Sequence, residues 1–195
     1  ITELAIQDIS DKHPFHQKLK EIHTAGQRAK DVVAQLLSFS RQDETRRLPV
    51  DMRAILDESL QLLRVSIPAT IDIRKELCDQ PLTVMSDSSK IQQVLINLCT
   101  NAAHAMEDGG GTLTISLKKM DFDRIGADKY GLCYGAYAQL TVEDTGTGID
   151  AAILDRIFDP YFTTKQAHSG TGMGLSMVHG IVTKYDGVIT VDSQP

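Results

Sequence analysis

The chain has 195 residues, of which 42% are hydrophobic and 24% are charged, a composition typical of a globular domain rather than a disordered segment. Its formal net charge is -6 and no basic stripe stands out, which argues against a general nucleic-acid-binding protein. The three cysteines are far apart and form no CxxC pair, so a disulfide framework or zinc site is disfavoured and a reducing, cytoplasmic compartment is expected. No apolar run is long enough to cross a bilayer, and neither a signal peptide nor a membrane contact is predicted within these residues.

The first predicted element is a long helix over residues 11–41. Its apolar residues recur every seven positions in two series, Phe15, Ile22, Ala29 and Leu36, and Ala25, Val32 and Phe39. This spacing draws one apolar seam along the helix, as in a coiled coil or bundle, and the seam needs a partner helix to cover it. The polar stretch "RQDETRRLP" predicts a linker that ends at Pro49. We therefore expect two parts, residues 1–45 and 46–195. Because the chain starts at "ITEL" without Met, we expect it to be a piece of a longer protein.

Helical and strand patterns alternate after the linker. A helix "VDMRAILDESLQLL" capped by Asp51 precedes the strands "TIDIRKEL" and "LTVM". Asp87 or Ser88 then caps the long helix "SKIQQVLINLCTNAAHAM", and a "GGG" turn leads to the strands "TLTISLKKM" and "YAQLTVED". A short helix "AILDRIF", a longer helix "MGLSMVHGIVTKY" and a last strand "VITVDS" follow, while residues 121–135 fit no pattern and are predicted to be an insert. These elements favour an α/β two-layer sandwich, a sheet with helices on one face.

The stretch "GTGMGLS" at residues 170–176 places three glycines on alternate positions before a helix. Glycines let backbone N–H groups approach a ligand closely, and a helix N-terminus attracts anions, so a phosphate site is predicted. It is not a P-loop, because no glycine is followed by Lys and then Ser or Thr. It is not a GxGxxG fingerprint either, since Met177 and Ala151 stand where the third glycine would be. A simple loop hinge is the alternative.

Two further features accompany this cluster. "EDTGTGI" at residues 143–149 ends a strand with an acid and a second glycine pair, and Asn97 and Asn101 lie four apart on one face of the long helix. An amide oxygen can coordinate Mg²⁺ without adding charge beside a triphosphate. Together these residues predict a site for a base, a metal and phosphates.

Four segments resemble, in order and spacing, the N, G1, F and G2 boxes of sensor histidine kinases. They are "NLCTNAAHA", "DTGTGI", "IFDPYFTTK" and "GTGMGLS". The resemblance covers the chain from Pro49 onward, and "RAKDVVAQLLSFSRQ" before it resembles the second helix of the dimerisation and phosphotransfer hairpin. It implies the Bergerat-type ATP-binding sandwich with a mixed sheet, shared with gyrase, MutL and the heat-shock chaperones, and it implies ATP and Mg²⁺ as ligands.

The resemblance also implies roles for individual residues. Asp144 would accept a hydrogen bond from the adenine amino group, with Gly146, Gly148 and Ile149 close to the base and sugar; the alternative for Asp144 is a cap of the turn at the end of its strand. Asn101 would hold Mg²⁺ between the phosphates. Asn97 lies where gyrases place a general-base glutamate, and because an amide cannot take a proton at neutral pH, activation of water is disfavoured there.

The rest of the implied site lies on the adjoining helix turn and in the loop before the last helix. His104 is either a phosphate contact or a surface residue, and Lys165 is either a β- or γ-phosphate contact or a solvated lysine. The F-box aromatics Phe158, Tyr161 and Phe162 would hinge a lid over ATP, and the alternative is that they are core residues, as at least one of them is expected to be. The remaining implied contacts of the nucleotide are Thr164, Gly170, Thr171, Gly172, Met173, Gly174 and Leu175.

The expected function is ATP-dependent phosphorylation of a histidine, with Asn97, Asn101 and Lys165 as catalytic residues, followed by transfer to an aspartate of a response-regulator receiver domain. A homodimer through the helical hairpin is expected. A serine kinase on the same fold and a non-catalytic nucleotide-binding switch are the alternatives. None of the six histidines is followed by the acid that a phosphoacceptor requires, so the acceptor is expected upstream of Ile1.

Two departures from the family pattern accompany these expectations. Asp186 stands where relatives usually have a glycine, which predicts a turn substitution of little functional effect. The chain ends at "DSQP", before the closing strand of the family, so one wall of the adenine pocket is expected to be incomplete.

Overall fold

The helices and strands that position the site all lie between residues 48 and 184. The computed structural model describes residues 15, 18–19, 26, 47–78, 80–164 and 171–195. The chain divides into two units, Ile1–Glu44 and Thr45–Pro195. Most of the first unit lies outside the described residues, and so does most of the predicted heptad helix of residues 11–41.

Ten elements follow one another in the described residues of the second unit. They are β1 (Leu48–Asp51), α1 (Met52–Ser66), β2 (Ile71–Leu77), β3 (Thr83–Ser86), α2 (Ser88–Ala105), β4 (Gly111–Phe122), α3 (Arg124–Asp128), β5 (Gly135–Asp144), a 3-10 helix (Ala151–Arg156) and α4 (Gly174–Lys184). The predicted caps are confirmed, since Asp51 accepts a hydrogen bond from the Arg53 N–H and Asp87 accepts one from the Ser89 N–H. No helix in the described parts of the chain is long and apolar enough to span a membrane.

The main sheet has the order β2-β4-β5 and is mixed. Strands β2 and β4 run parallel, from Ile71 opposite Gly111, whereas β4 and β5 run antiparallel, from Leu113 opposite Asp144. Helices α1 and α2 contribute to one apolar core together with alternate residues of β4, which bury one face of the sheet. The core residues that are fully or almost fully buried include Leu56, Ile71, Leu95, Cys99, Leu113, Ile115 and Leu117. The predicted α/β class with a mixed sheet and helices is thus confirmed.

The prediction that residues up to Pro49 form a linker is wrong at its end. Leu48–Asp51 forms strand β1, which pairs antiparallel with β3 from Leu48 opposite Ser86. A four-residue strand that contains a proline has a weak local signal, and its partner lies more than thirty residues further along the chain. The pairing, rather than the local sequence, makes this segment a strand.

Two other predictions need correction. The insert predicted between two strands is present, but it covers residues 123–134 rather than 121–135 and is not patternless. Strand β4 extends to Phe122 and α3 follows, with the Asp123 carboxylate accepting a hydrogen bond from the Gly126 N–H at 2.7 Å. The strand predicted from "VITVDS" is absent, since residues 187–195 have no regular structure. No described strand pairs with this segment, and its end contacts a loop instead.

Candidate functional site

Helix α2 carries three residues of the site on one stripe, because Asn97, Asn101 and Ala105 are each four residues apart. Asn97 and Asn101 are half-buried. The Asn97 Nδ2 group donates a hydrogen bond to the carbonyl of Gln93 at 2.8 Å, which fixes the orientation of the amide. The Asn97 Oδ1 atom is therefore directed away from its own helix.

The N-terminus of α4 lies against this pair of amides. A Cβ atom added at Gly174 would be 3.0 Å from Asn97 Oδ1 and 3.7 Å from Asn101 Nδ2. Helix α4 begins after Met173, whose own side chain makes no capping hydrogen bond. Its first N–H groups and the partial positive charge of its N-terminus therefore lie beside the two amides, an arrangement suited to an anion.

The G1 loop, residues 144–149, lies at the other end of the same stripe. The Asp144 Oδ1 atom accepts a hydrogen bond from the Gly146 N–H at 2.9 Å, and the Thr147 N–H donates one to the Ala105 carbonyl at 3.1 Å. A Cβ atom at Gly146 would lie 2.6 Å from the Ala105 Cβ, so only glycine fits. The loop is thus seated on the C-terminal end of α2, and the Asp144 carboxylate remains exposed.

Thr145 anchors this loop to the sheet. Its N–H donates to the Thr112 carbonyl at 3.2 Å, and its Oγ1 accepts from the Thr112 N–H at 3.0 Å. The hydroxyl also lies 3.8 Å from the Met106 sulfur. Thr145 and Ala105 were not predicted to belong to the site. For Ala105, its position four residues after Asn101 indicates that it lies on the same face of the helix.

The end of the chain packs on the second half of the G1 loop. The Ile149 N–H donates to the Ser193 hydroxyl at 2.9 Å, and Gly148, at φ +68°, has no room for a side chain because the Gln194 backbone lies against it. These contacts join residues more than forty positions apart, and the sequence pattern contained no signal for them.

The F box approaches the glycine cluster from the other side. Gly172, at φ +65°, lies on the backbone of Tyr161, whose carbonyl oxygen would be 2.7 Å from an added Cβ. Tyr161 itself has a positive φ of 67° and an exposed ring, and the Phe158 ring contacts His179 on α4 at 5.3 Å between centroids. The segments before and after residues 165–170 therefore meet at Tyr161 and Gly172.

The remaining predicted site residues are placed as follows. His104, Thr164 and Thr171 are exposed, and Leu175 is half-buried in the first turn of α4. The Met173 carbonyl accepts hydrogen bonds from the Met177 N–H and the Ser176 hydroxyl, both at 3.0 Å. Lys165 and Gly170 lie outside the described residues.

The buried side of α2 beneath the site is apolar. Cys99, between the two asparagines in sequence, is completely buried, and burial raises the pKa of its thiol to about 12. Within the described residues no three His, Cys, Asp or Glu side chains cluster to hold a metal.

Comparison with known proteins agrees with this geometry. Residues 86–195 match the family model described as "Histidine kinase-, DNA gyrase B-, and HSP90-like ATPase". The chain is 34% identical to the sensor kinase CckA of Brucella abortus over 99% of its own length, but it spans only 20% of that relative. It resembles the solved mycobacterial sensor histidine kinase MprB with a TM-score of 0.56 and 27% identity, covering 71% of this chain and 80% of that one.

A further solved structure shares the fold over a longer stretch. Histidine kinase ThkA, crystallised in complex with the response regulator protein TrrA, matches with a TM-score of 0.65 at 23% identity, over 92% of this chain and 47% of that one. That match shows the fold, whereas the family model over residues 86–195 establishes the family, and the similarity to CckA and MprB agrees with it. The chain belongs to the histidine kinase-, DNA gyrase B- and HSP90-like ATPases and contains the ATP-binding catalytic domain of a two-component sensor histidine kinase.

Proposed function

We propose that this domain binds Mg²⁺-ATP along α2, with the base at the G1 loop and the phosphates between the two asparagines and the N-terminus of α4. The observation that carries the proposal is the contact of Gly174 with both Asn97 and Asn101. It brings the Asn97 Oδ1 atom, the Asn101 Nδ2 group and a helix N-terminus close together. From Asn97 to Ala105 the helix rises by about 12 Å, so the two ends of the stripe can receive opposite ends of one extended nucleotide.

The adenine end is read by Asp144. Because the Oδ1 atom is occupied by the Gly146 N–H, the second carboxylate oxygen is the one that would accept a hydrogen bond from the adenine amino group. Gly146 lets the loop lie directly on Ala105, and the Ser193 hydroxyl holds the Ile149 amide. The loop is therefore held in place before the ligand arrives, which reduces the ordering cost of binding.

The phosphate end is bound by backbone groups and amides. The first N–H groups of α4 donate to phosphate oxygens, and Thr171 and Gly172 precede them. Asn101 would hold Mg²⁺, which supplies charge neutralisation of the phosphates when it is bound. Asn97 cannot act as a base at neutral pH, so the site favours keeping the γ-phosphoryl group for a protein acceptor over its hydrolysis. Lys165 and His104 remain proposed phosphate contacts.

In the complete protein, we propose, the γ-phosphoryl group passes to a histidine and then to an aspartate of a response-regulator receiver domain. The acceptor must be placed in line with the γ-phosphate, which is a matter of positioning rather than of covalent chemistry at the catalytic domain. Co-crystallisation of ThkA with a response regulator supports this partner class. We also propose that the protein dimerises through the predicted heptad helix and acts in the cytoplasm, where ATP is available.

Calorimetric titration of the chain with a non-hydrolysable ATP analogue, with and without magnesium, tests the binding site. We expect binding that is tightened by Mg²⁺ in the wild-type chain. Asn101→Ala should retain weak nucleotide binding and lose its dependence on Mg²⁺. Thr100→Ala, an exposed neighbour on the same helix, is the matched control and should titrate like the wild type. Equal magnesium dependence in Asn101→Ala would remove Asn101 from the metal site.

A further inference from the structure

The side chain of Arg47 makes three contacts at the C-terminal end of α4. Its Nη1 donates to the Asp186 carboxylate at 2.6 Å, and its Nη2 donates to the Lys184 carbonyl at 3.1 Å. The guanidinium also lies 5.7 Å from the centre of the Tyr185 ring. One side chain thus engages a carboxylate, a carbonyl of the last helical turn and an aromatic ring.

The backbone of Asp186 adopts a conformation that favours glycine. Its φ is +61°, and the helix closes with hydrogen bonds from the Asp186 N–H to the Thr183 carbonyl and from the Gly187 N–H to the Val182 carbonyl. In this type of helix end, glycine is the usual residue at the position of Asp186. A glycine would relax the backbone there, but it could not supply the carboxylate that Arg47 binds. Asp186, which was expected to be a turn substitution, therefore has Arg47 as a partner.

Arg47 links the start of β1 to the C-terminal end of α4. Arg47 directly precedes β1, which pairs with β3. Its side chain binds Asp186 at the end of α4 that lies opposite the proposed nucleotide site. Helix α4 is anchored at its middle by Val178, which is completely buried, and its first residue Gly174 contacts Asn97 and Asn101. A helix of eleven residues is a stiff rod about 16 Å long, so fixing its far end limits the tilt of its N-terminus.

We propose that Arg47 and Asp186 are positioning residues for the ATP phosphates, acting through the orientation of α4. This inference rests on the proposed binding of ATP. An exposed ion pair contributes little to stability, and the Arg47 and Asp186 side chains are 42% and 75% exposed. The effect of the pair is therefore expected in phosphate affinity rather than in the melting temperature.

Four proteins test this proposal: the wild type, Arg47→Ala, Asp186→Gly and the double variant. Each is titrated with a Mg²⁺-bound non-hydrolysable ATP analogue and with adenosine, and its melting temperature is measured. We expect each single variant to bind the ATP analogue about threefold or more weakly, and the double variant to bind no more weakly than the singles. Adenosine affinity should be unchanged, because the base contacts the G1 loop. Asp186→Gly should melt at or above the wild-type temperature, since glycine fits the turn.

Asp72→Ala is the matched control, since it breaks another exposed ion pair, Arg74 to Asp72 at 2.9 Å, on β2. It should bind both ligands like the wild type. Unchanged affinity for the ATP analogue in Arg47→Ala and Asp186→Gly, or an equal loss for adenosine, would overturn the positioning role while leaving the proposed function intact. A wild-type chain that binds adenosine and ATP equally poorly would overturn both.

Discussion

One carboxylate oxygen of Asp144 accepts a hydrogen bond from the Gly146 N–H, and the other is the proposed acceptor for the adenine amino group. Asp144→Asn keeps an oxygen that can accept from the Gly146 N–H, but it presents an amide where the adenine amino group needs an acceptor. We expect ATP binding to weaken about 5- to 150-fold, the equivalent of about 1–3 kcal/mol for an unpaired buried donor, with little change in melting temperature. Calorimetry and thermal denaturation measure the two effects. A nearly normal affinity of Asp144→Asn for ATP would show that Asp144 does not recognise the base.

Two glycines of α4 offer a matched pair of substitutions. A Cβ at Gly174 would lie 3.0 Å from Asn97 Oδ1, whereas a Cβ at Gly180 meets nothing within 4 Å. Gly180→Ala should stabilise the helix by about 0.5–1 kcal/mol without affecting ATP. Gly174→Ala should displace the Asn97 amide and weaken ATP binding severalfold even where stability rises. Titration and denaturation of both variants check this, and equal ATP affinities would show that Gly174 is not close to the phosphates.

A site residue could be predicted from the sequence when it stands in a short local motif, and not when it acts through contacts with distant residues. Asp144, Asn97 and Asn101 stand in short ordered motifs, so their positions could be read from spacing, although their roles remain predictions. Ser193 and Arg47 act through contacts that span more than forty residues, and neither lies in a motif. Only the folded chain brings such residues to their partners.

At the scale of elements, the long helices and strands of the second unit were predictable because their periodicity extends over many residues. Strand β1 was missed because four residues with a proline have no period to read, and the pairing with β3 decides their structure. The last strand was predicted from the alternation in "VITVDS", but alternation alone does not supply a hydrogen-bonded neighbour. The described structure provides none for that segment.

Helix α2 can be probed through its buried thiol. Iodoacetamide at pH 8 should modify the exposed Cys133 in the folded chain and should reach Cys99 only after unfolding, because the pKa of the Cys99 thiol is raised to about 12 by burial. Mass spectrometry of the intact and digested protein gives the extent at each site. Equal reactivity of Cys99 and Cys133 would mean that α2 opens readily.

The same thiol gives a pH dependence with a definite sign. Below the ordinary value of 9.0 the folded and unfolded chains both keep the proton, and between 9.0 and about 12 only the folded chain keeps it. The folded state then binds more protons, so the free energy of unfolding should fall as the pH rises through this range. Denaturant titrations at a series of pH values measure this slope, and Cys99→Ala should reduce it.

At the scale of the whole molecule, the division between binding ATP and accepting the phosphoryl group can be tested directly. None of the histidines at positions 13, 16, 23, 104, 168 and 179 is followed by an acid. We therefore expect this chain to bind Mg²⁺-ATP and to form no phosphohistidine, because an acceptor must be both nucleophilic and in line with the γ-phosphate. Incubation with labelled ATP and phosphosite mapping are the measurement. Acid-labile phosphate on His13, His16 or His23 would contradict this, and acid-stable phosphate would favour a serine kinase.

The stripe of Asn97, Asn101 and Ala105, spaced four residues apart on α2, also limits which changes in chain length the domain can accept. One residue inserted between Asn101 and Ala105 would rotate everything after it by about 100°, taking Ala105 from beneath Gly146 while Asn97 and Asn101 stayed against Gly174. The site would lose its base end and keep its phosphate end. The turn between β4 and β5 is free of that restriction, since Phe122 pairs with Gly135 at the opposite end of the hairpin from Asp144. Insertions and deletions among functional homologues should therefore accumulate around α3 and be absent from the stretch between Asn97 and Ala105.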